Sequence, residues 1–208
     1  MKISRCATLI IAIFILLISA SPGYSKFVLI EKSVATVGGE VILESDLDKY
    51  ACYVSLKNGG DVKGLDRRSL LSEMINEIVI VREVNRTGSI EIEPARLHEK
   101  IGEIGKIILK CQEECGDLCK DVNYPAKRAR VEISREEFIR QRIERFVKVT
   151  EGDIFQYYLL KPGDYPNGYN EKVKEKIRIK LKNERVKENL TKILNRVKKR
   201  IKIIIPED

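Results

Sequence analysis

The chain has 208 residues, 43% of them hydrophobic and 34% charged, which suits one compact domain with an extended arm and is crowded for two. Trp is absent and aromatics make up 6%, while Lys, Glu and Ile abound, a balance that favours long charged helices over a β-sandwich. The formal net charge of +8 comes from 39 Lys and Arg interleaved with 31 Asp and Glu, so solvated helix faces account for the basic residues better than a phosphate-binding stripe does, and no nucleic-acid partner is expected.

Lys2 and Arg5 precede an apolar run from Ala7 to Ala20, and Ser19 to Ser25 supplies small residues with Pro22. This reads as a secretory signal peptide over 1–25. The fourteen residues of the run fall short of the ~20 that span a hydrocarbon core, so cleavage after Ala20 or Ser25 is favoured over a retained anchor. Cys6 precedes the run and cannot serve as a lipid-attachment site after it. Without 1–25 the chain loses two positive charges, and its net charge is +8 minus 2, or +6.

Beyond the leader, β-branched runs flank Gly38-Gly39 between Ser33 and Leu43, a hairpin signal. Ser45 is the expected cap of a first helix, with Asp46 and Asp48 in its first turn and Leu47, Ala51 and Val54 on one face, ending before Asn58-Gly59-Gly60. Asp66 caps a second, in which Leu70, Leu71, Met74, Ile75, Ile78, Val79 and Val81 recur until Gly88, a stripe broad enough for the centre of a helical core. Pro94 opens a third, whose apolar face is expected to run through Leu97, Ile101, Ile104, Ile108, Cys111, Cys115 and Cys119, before Asn123-Tyr124-Pro125 breaks the pattern.

Ser134 and Glu137 form a capping-box pair that opens a helix carrying Ile139, Ile143, Phe146 and Val147. Thr150 with Asp153 caps a short helix bearing Ile154, Tyr157 and Tyr158. Lys161 to Asn170 holds two prolines and two glycines and reads as a linker. A long helix follows from Glu171 to about Arg200, with Val173, Ile177, Leu181, Leu190, Ile193, Leu194 and Val197 as its stripe. At ~1.5 Å per residue it reaches about 45 Å, so part of it extends beyond a small core. Ile201 to Ile205 reads as a final strand stopped by Pro206, and it is expected to pair with Val34 to Val37 because an isolated hairpin is only marginally stable.

Four cysteines remain after export: Cys52, Cys111, Cys115 and Cys119. In an oxidising compartment an even set points to disulfides, of which four cysteines allow three pairings. Bonds between neighbours on a regular helix would be strained, but Gly116 lets the helix break near Cys115, after which Cys111 or Cys115 can bond Cys119 or cross to Cys52. The weaker alternatives are buried free thiols and a metal site, for which Cys-x3-Cys-x3-Cys is not a common zinc spacing, and weakest is a redox centre, for which Cys-x-x-Cys is missing.

The run Val34-Ala35-Thr36-Val37-Gly38-Gly39-Glu40-Val41-Ile42-Leu43-Glu44-Ser45-Asp46-Leu47-Asp48 resembles the opening of the N-terminal domain of SurA-type periplasmic chaperones and their PrsA and PpiD relatives. The helix from Leu70 to Arg86, with Leu71, Met74-Ile75, Ile78, Glu83 and then Gly88, is similar to a second part of that domain. Weaker likenesses are Val149-Thr150-Glu151 to Tyr158 and the charged C-terminal helix with Ile201 to Ile205. These segments occur in the family's order over most of the chain, and Cys111 to Arg130 departs from its pattern.

The resemblance implies a mainly α chaperone domain with a small sheet made by the N-terminal hairpin and the C-terminal strand. The domain spans 26–160 and is completed by 171–208, with 161–170 in place of a prolyl-isomerase domain. It implies a periplasmic, ATP-independent holdase for unfolded outer-membrane or secreted polypeptides. No enzyme is expected: Leu159 to Asn170 is far below the ~50 residues a domain needs, and His98, the sole histidine, reads as an exposed helix residue away from that interval. No catalytic residue, cofactor or metal ligand is assigned. Tyr157, Tyr158 and Tyr165 are the candidate client contacts, with packing against the long helix as their stronger alternative. A dedicated envelope assembly subunit with one fixed partner is the competing function, and a cysteine-based redox or metal protein ranks below it. The long helix leaves a homodimer by arm exchange open.

Overall fold

The computed structural model describes residues 31–206 apart from Ser89, 111–114 and Asn167; the expected signal segment lies outside them, as does Cys111. They form one unit that is mainly helical with a small antiparallel sheet, as expected.

Ser33–Val37 (β1) and Glu40–Leu43 (β2) make the hairpin. It turns through Gly38 and Gly39, whose φ angles of 58° and 93° are costly for a residue with a Cβ. A Cβ at Gly38 would also come within 2.8 Å of the Arg82 guanidinium, the end of an exposed side chain that can swing aside, so the positive φ is what selects glycine there. Ile203–Ile204 (β3) pairs with β1, Thr36 opposite Ile204 and Val37 opposite Ile203, giving the sheet order β2-β1-β3. The strand is shorter than the expected Ile201 to Ile205, because Ile201 is still held in the turn after the last helix by its N–H bond to the Lys198 carbonyl.

The helix Glu44–Asn58 (α1) leaves β2 directly. Leu43, not Ser45, occupies its cap position, and Asp46 reaches back to accept from the Leu43 N–H at 3.2 Å. With the strand running straight into the helix, Ser45 falls inside the first turn. Arg67–Thr87 (α2) is capped as expected by Asp66, which accepts from the N–H groups of Arg68 and Ser69, and it ends at left-handed Gly88.

Pro94–Ile108 (α3) stops earlier than the cysteine spacing implied, and Gly116–Lys120 (α4) is a separate short helix. Cys115 precedes α4 with φ of −107° and ψ of 25°, outside the helical region, so the cysteines do not continue one stripe. Cys115 is instead crosslinked sideways to α1. The next helix, Tyr124–Arg142 (α5), begins ten residues before Ser134, with Pro125 in its first turn, where the missing N–H costs nothing. Ser134 and Glu137 are buried in its interior and cap nothing, and Phe146 lies beyond its end, exposed. Glu151–Leu160 (α6) carries the expected Thr150–Asp153 capping box, and Glu171–Lys198 (α7) is the long helix.

Three apolar clusters result. In the first, Ala35, Val37 and Ile42 of the sheet meet Ile75, Val79, Ile80 and Val84 of α2, Phe138 of α5, and Leu194 and Val197 of α7. The second surrounds Tyr50, Cys52 and Tyr53 of α1 with Leu70, Ile104, Cys115, Leu118 and Ala129. The third is small and joins Ile154 of α6 to Val173 and Ile177 of α7. The C-terminal half of α7 therefore belongs to the main core, and its N-terminal half forms an arm with α6. Among the described residues no helix is long and apolar enough to cross a membrane.

Candidate functional site

β2 is an outer strand of the sheet, and a cleft of about 260 Å³ runs beside it. Val41 and Ile42 of β2, Tyr50 of α1, Met74 and Ile78 of α2 and Tyr124 of α5 supply its apolar lining. That volume lies below the ~300–1,000 Å³ of small-molecule sites and fits one or two side chains of a chain laid along the strand. Lys49 of α1 and Asp121, just ahead of α5, bridge its rim at 2.9 Å.

Arg128 of α5 forms the floor. Its guanidinium donates twice to Glu77 of α2, at 2.6 and 2.7 Å, and once to Glu132 one turn along α5, at 3.1 Å. It lies over the rings of Tyr50 and Tyr53, 4.9 and 5.3 Å from their centroids. Glu132 also accepts from the Tyr53 hydroxyl at 2.8 Å and from Lys57 at 3.1 Å. Two carboxylates thus meet two cations, buried Arg128 and half-exposed Lys57, and the charges balance.

The ionisation states follow from that balance. Burial pushes the Glu132 carboxyl up, but the Tyr53 hydroxyl, Arg128 and Lys57 outweigh it and leave it below the ordinary range. Burial likewise disfavours charge on Arg128, and the Glu77 pair reverses this, so the guanidinium stays protonated. Tyr50, Tyr53 and Tyr124 are raised, chiefly by burial, and remain neutral, with Tyr50 donating to Glu73 and Tyr53 to Glu132. A second ionic joint ties α3 to α5: Glu137, its side chain 5% exposed, accepts from Arg140, Gln141 and Arg96, and these bonds, Arg140's first, lower it to about 2.

Cys52 and Cys115 form a disulfide with Cα atoms 5.7 Å apart, and Cys119 is disulfide-bonded as well. These three cysteines are therefore not free thiols, and among the described residues no group of three or more His, Cys, Asp and Glu is placed to hold a metal ion. His98 is exposed on α3.

Tyr157, Tyr158 and Tyr165 all lie at the α6–α7 arm, half-buried around the third cluster. The rings of Tyr158, Tyr165 and Tyr169 form a ladder: Tyr158 sits 6.2 Å from Tyr165 and 5.0 Å from Tyr169, which takes the edge of Phe155 at 5.4 Å, while Tyr157 meets the ammonium groups of Lys161 and Lys180. The tyrosines act first as packing for the arm, whereas Phe155, Leu159 and Leu160 of α6 turn outward, 47%, 57% and 80% exposed. The cleft residues and the Arg128 network escaped the sequence reading. Their one signal was Glu77, a charge inside the apolar stripe of α2, which requires a buried cation opposite. No protein-family model matches the chain, and no curated protein aligns with it significantly.

Proposed function

We propose that this protein is an ATP-independent holdase of the SurA type that binds unfolded outer-membrane or secreted polypeptides in the periplasm and catalyses no reaction on them. The observation that carries the reading is the outer edge of β2 beside an apolar cleft. An extended segment can add main-chain hydrogen bonds along such an edge while alternate side chains enter the cleft. The return of the last strand to the first supports the reading, because the resemblance implies it. So does the interval between α6 and α7, residues 161–170, whose described residues hold a 3-10 turn at Pro162–Asp164 and whose ten positions leave no room for an isomerase domain.

The test is light scattering of a chemically unfolded outer-membrane β-barrel protein diluted into buffer with and without the mature chain, without ATP. Suppression at near-stoichiometric amounts is expected, also with an unrelated client, and Val41→Lys on the β2 edge should weaken it. Aggregation unchanged for both clients would overturn the holdase and favour an envelope assembly subunit with one fixed partner, which should then co-purify.

A further inference from the structure

The positive charge of the protein is not spread over it. Residues 31–170 carry 22 Lys and Arg against 25 Asp and Glu, a net of −3, whereas 171–202 carry 14 against four, a net of +10. The excess therefore lies on α7 and the turn after it. Lys174, Arg178, Lys182 and Arg185 have carboxylate partners, but Lys172, Lys176, Lys187 and Lys192 make no ion pair among the described residues.

On the arm this charge converges with apolar surface. The ammonium of Lys161, at the end of α6, lies 5.5 Å from the centroid of the Tyr157 ring, and that of Lys180, on α7, lies 5.3 Å from it. Two cations thus share one aromatic ring. Neither is ion-paired among the described residues, and Lys180 is held charged chiefly by the Tyr157 hydroxyl, with Glu184, one turn along α7, adding a smaller attraction. Lys176 lies one turn before Lys180, and the exposed Leu159 and Leu160 are on the same end of α6.

We infer that the α6–α7 arm captures acidic segments of unfolded polypeptide, pairing their carboxylates with Lys161 and Lys180 and laying neighbouring apolar side chains over Leu159 and Leu160. Charge complementarity selects the occupant, because an anion at this point meets the ammonium groups of Lys161 and Lys180, which carry no ion pair among the described residues, and the net +7 of α7 draws it in. A polypeptide fits better than an anionic lipid surface. A helix that binds such a surface must bury a broad apolar face in it, whereas Val173 and Ile177 of α7 are already buried and the large apolar residues the arm exposes are Phe155, Leu159 and Leu160 on the ten-residue α6 and Ile179 on α7. This inference rests on the holdase reading and adds a client class to it.

The experiment is fluorescence anisotropy on the full mature chain with two labelled, unstructured peptides that share their Leu and Phe residues and differ only in carrying Glu or Gln elsewhere. The Glu peptide is expected to bind about tenfold more tightly at low salt and to lose most of that advantage as salt rises. The exchange of both exposed lysines, Lys161→Gln with Lys180→Gln, should weaken the Glu peptide about fivefold and leave the Gln peptide unchanged, and Lys161→Arg with Lys180→Arg should restore binding. Equal affinity for the two peptides, or an equal loss of both in the Gln variant, overturns the acidic preference while leaving the holdase reading intact. Binding to anionic vesicles with no preference for the Glu peptide overturns it in favour of a lipid surface. If neither peptide binds and aggregation is not suppressed, both readings fall.

Discussion

Arg128 is buried between two carboxylates, and its guanidinium rests on two tyrosine rings. A buried ion pair is not by itself a source of stability, since desolvation offsets much of the attraction, but removing one partner leaves the other charged and unpaired in the interior. Arg128→Met is expected to lower unfolding stability by about 3–5 kcal/mol, read from equilibrium urea denaturation, because Glu77 loses both of its short bonds at once. Adding Glu77→Leu should recover a large part of the loss. A single variant within about 1 kcal/mol of the parent would mean that water reaches Glu77 and that the floor of the cleft is wet. Part of this scale was readable in advance: Gly38, Gly39 and Asp66 do what their residue types demand. The Arg128 network was not, because Glu77 lies 51 positions away and only folding brings it to Arg128, whose pairing with Glu132 is a local one-turn contact on α5.

Between elements the strongest tie is covalent. The Cys52–Cys115 bond spans a sequence separation of 63 and holds the start of α4 against the middle of α1. The chain-entropy argument gives such a loop about 4 kcal/mol of stabilisation, so Cys52→Ala with Cys115→Ala should unfold at a markedly lower urea concentration, with the m-value rising as the unfolded chain expands. An unchanged midpoint would show that the packing around Tyr50, Leu118 and Ile104 suffices to hold α4. The same region shows where local pattern misleads. Ser134 and Glu137 have capping-box spacing, yet the same spacing arises by chance inside any helix, and Glu137 serves instead to receive Arg96 from α3. Pro125 looked like a break because proline ends a helix when it is interior; at the first turn it begins one.

At the scale of the whole molecule, the two ends of the described chain close one sheet. β3 covers the side of β1 opposite β2, and the Gly38 N–H donates to the Lys202 carbonyl at 2.8 Å. Ending the chain after Arg200 removes this strand and should lower stability by roughly 2 kcal/mol, through lost ladder bonds and the newly wetted surface of Val37. Amide hydrogen exchange should speed up in β1 before it does in α2. Equal protection in the two chains would mean that β1 is held by β2 and α2 alone.

Periodicity and turn chemistry in the sequence were enough to determine a mainly helical chain with a Gly-Gly hairpin before its first helix and a short strand after its last, since apolar spacing, caps and glycine conformation are local properties of the backbone. The length of α7 already required an arm. Only the tertiary structure decided that Cys52 bonds Cys115, that Arg128 joins Glu77 under a cleft beside β2, and that the tyrosines of α6 pack while its leucines face outward. Each of these depends on the distance between residues far apart in the chain and on which flank of a helix meets a neighbour, and neither is encoded in local spacing.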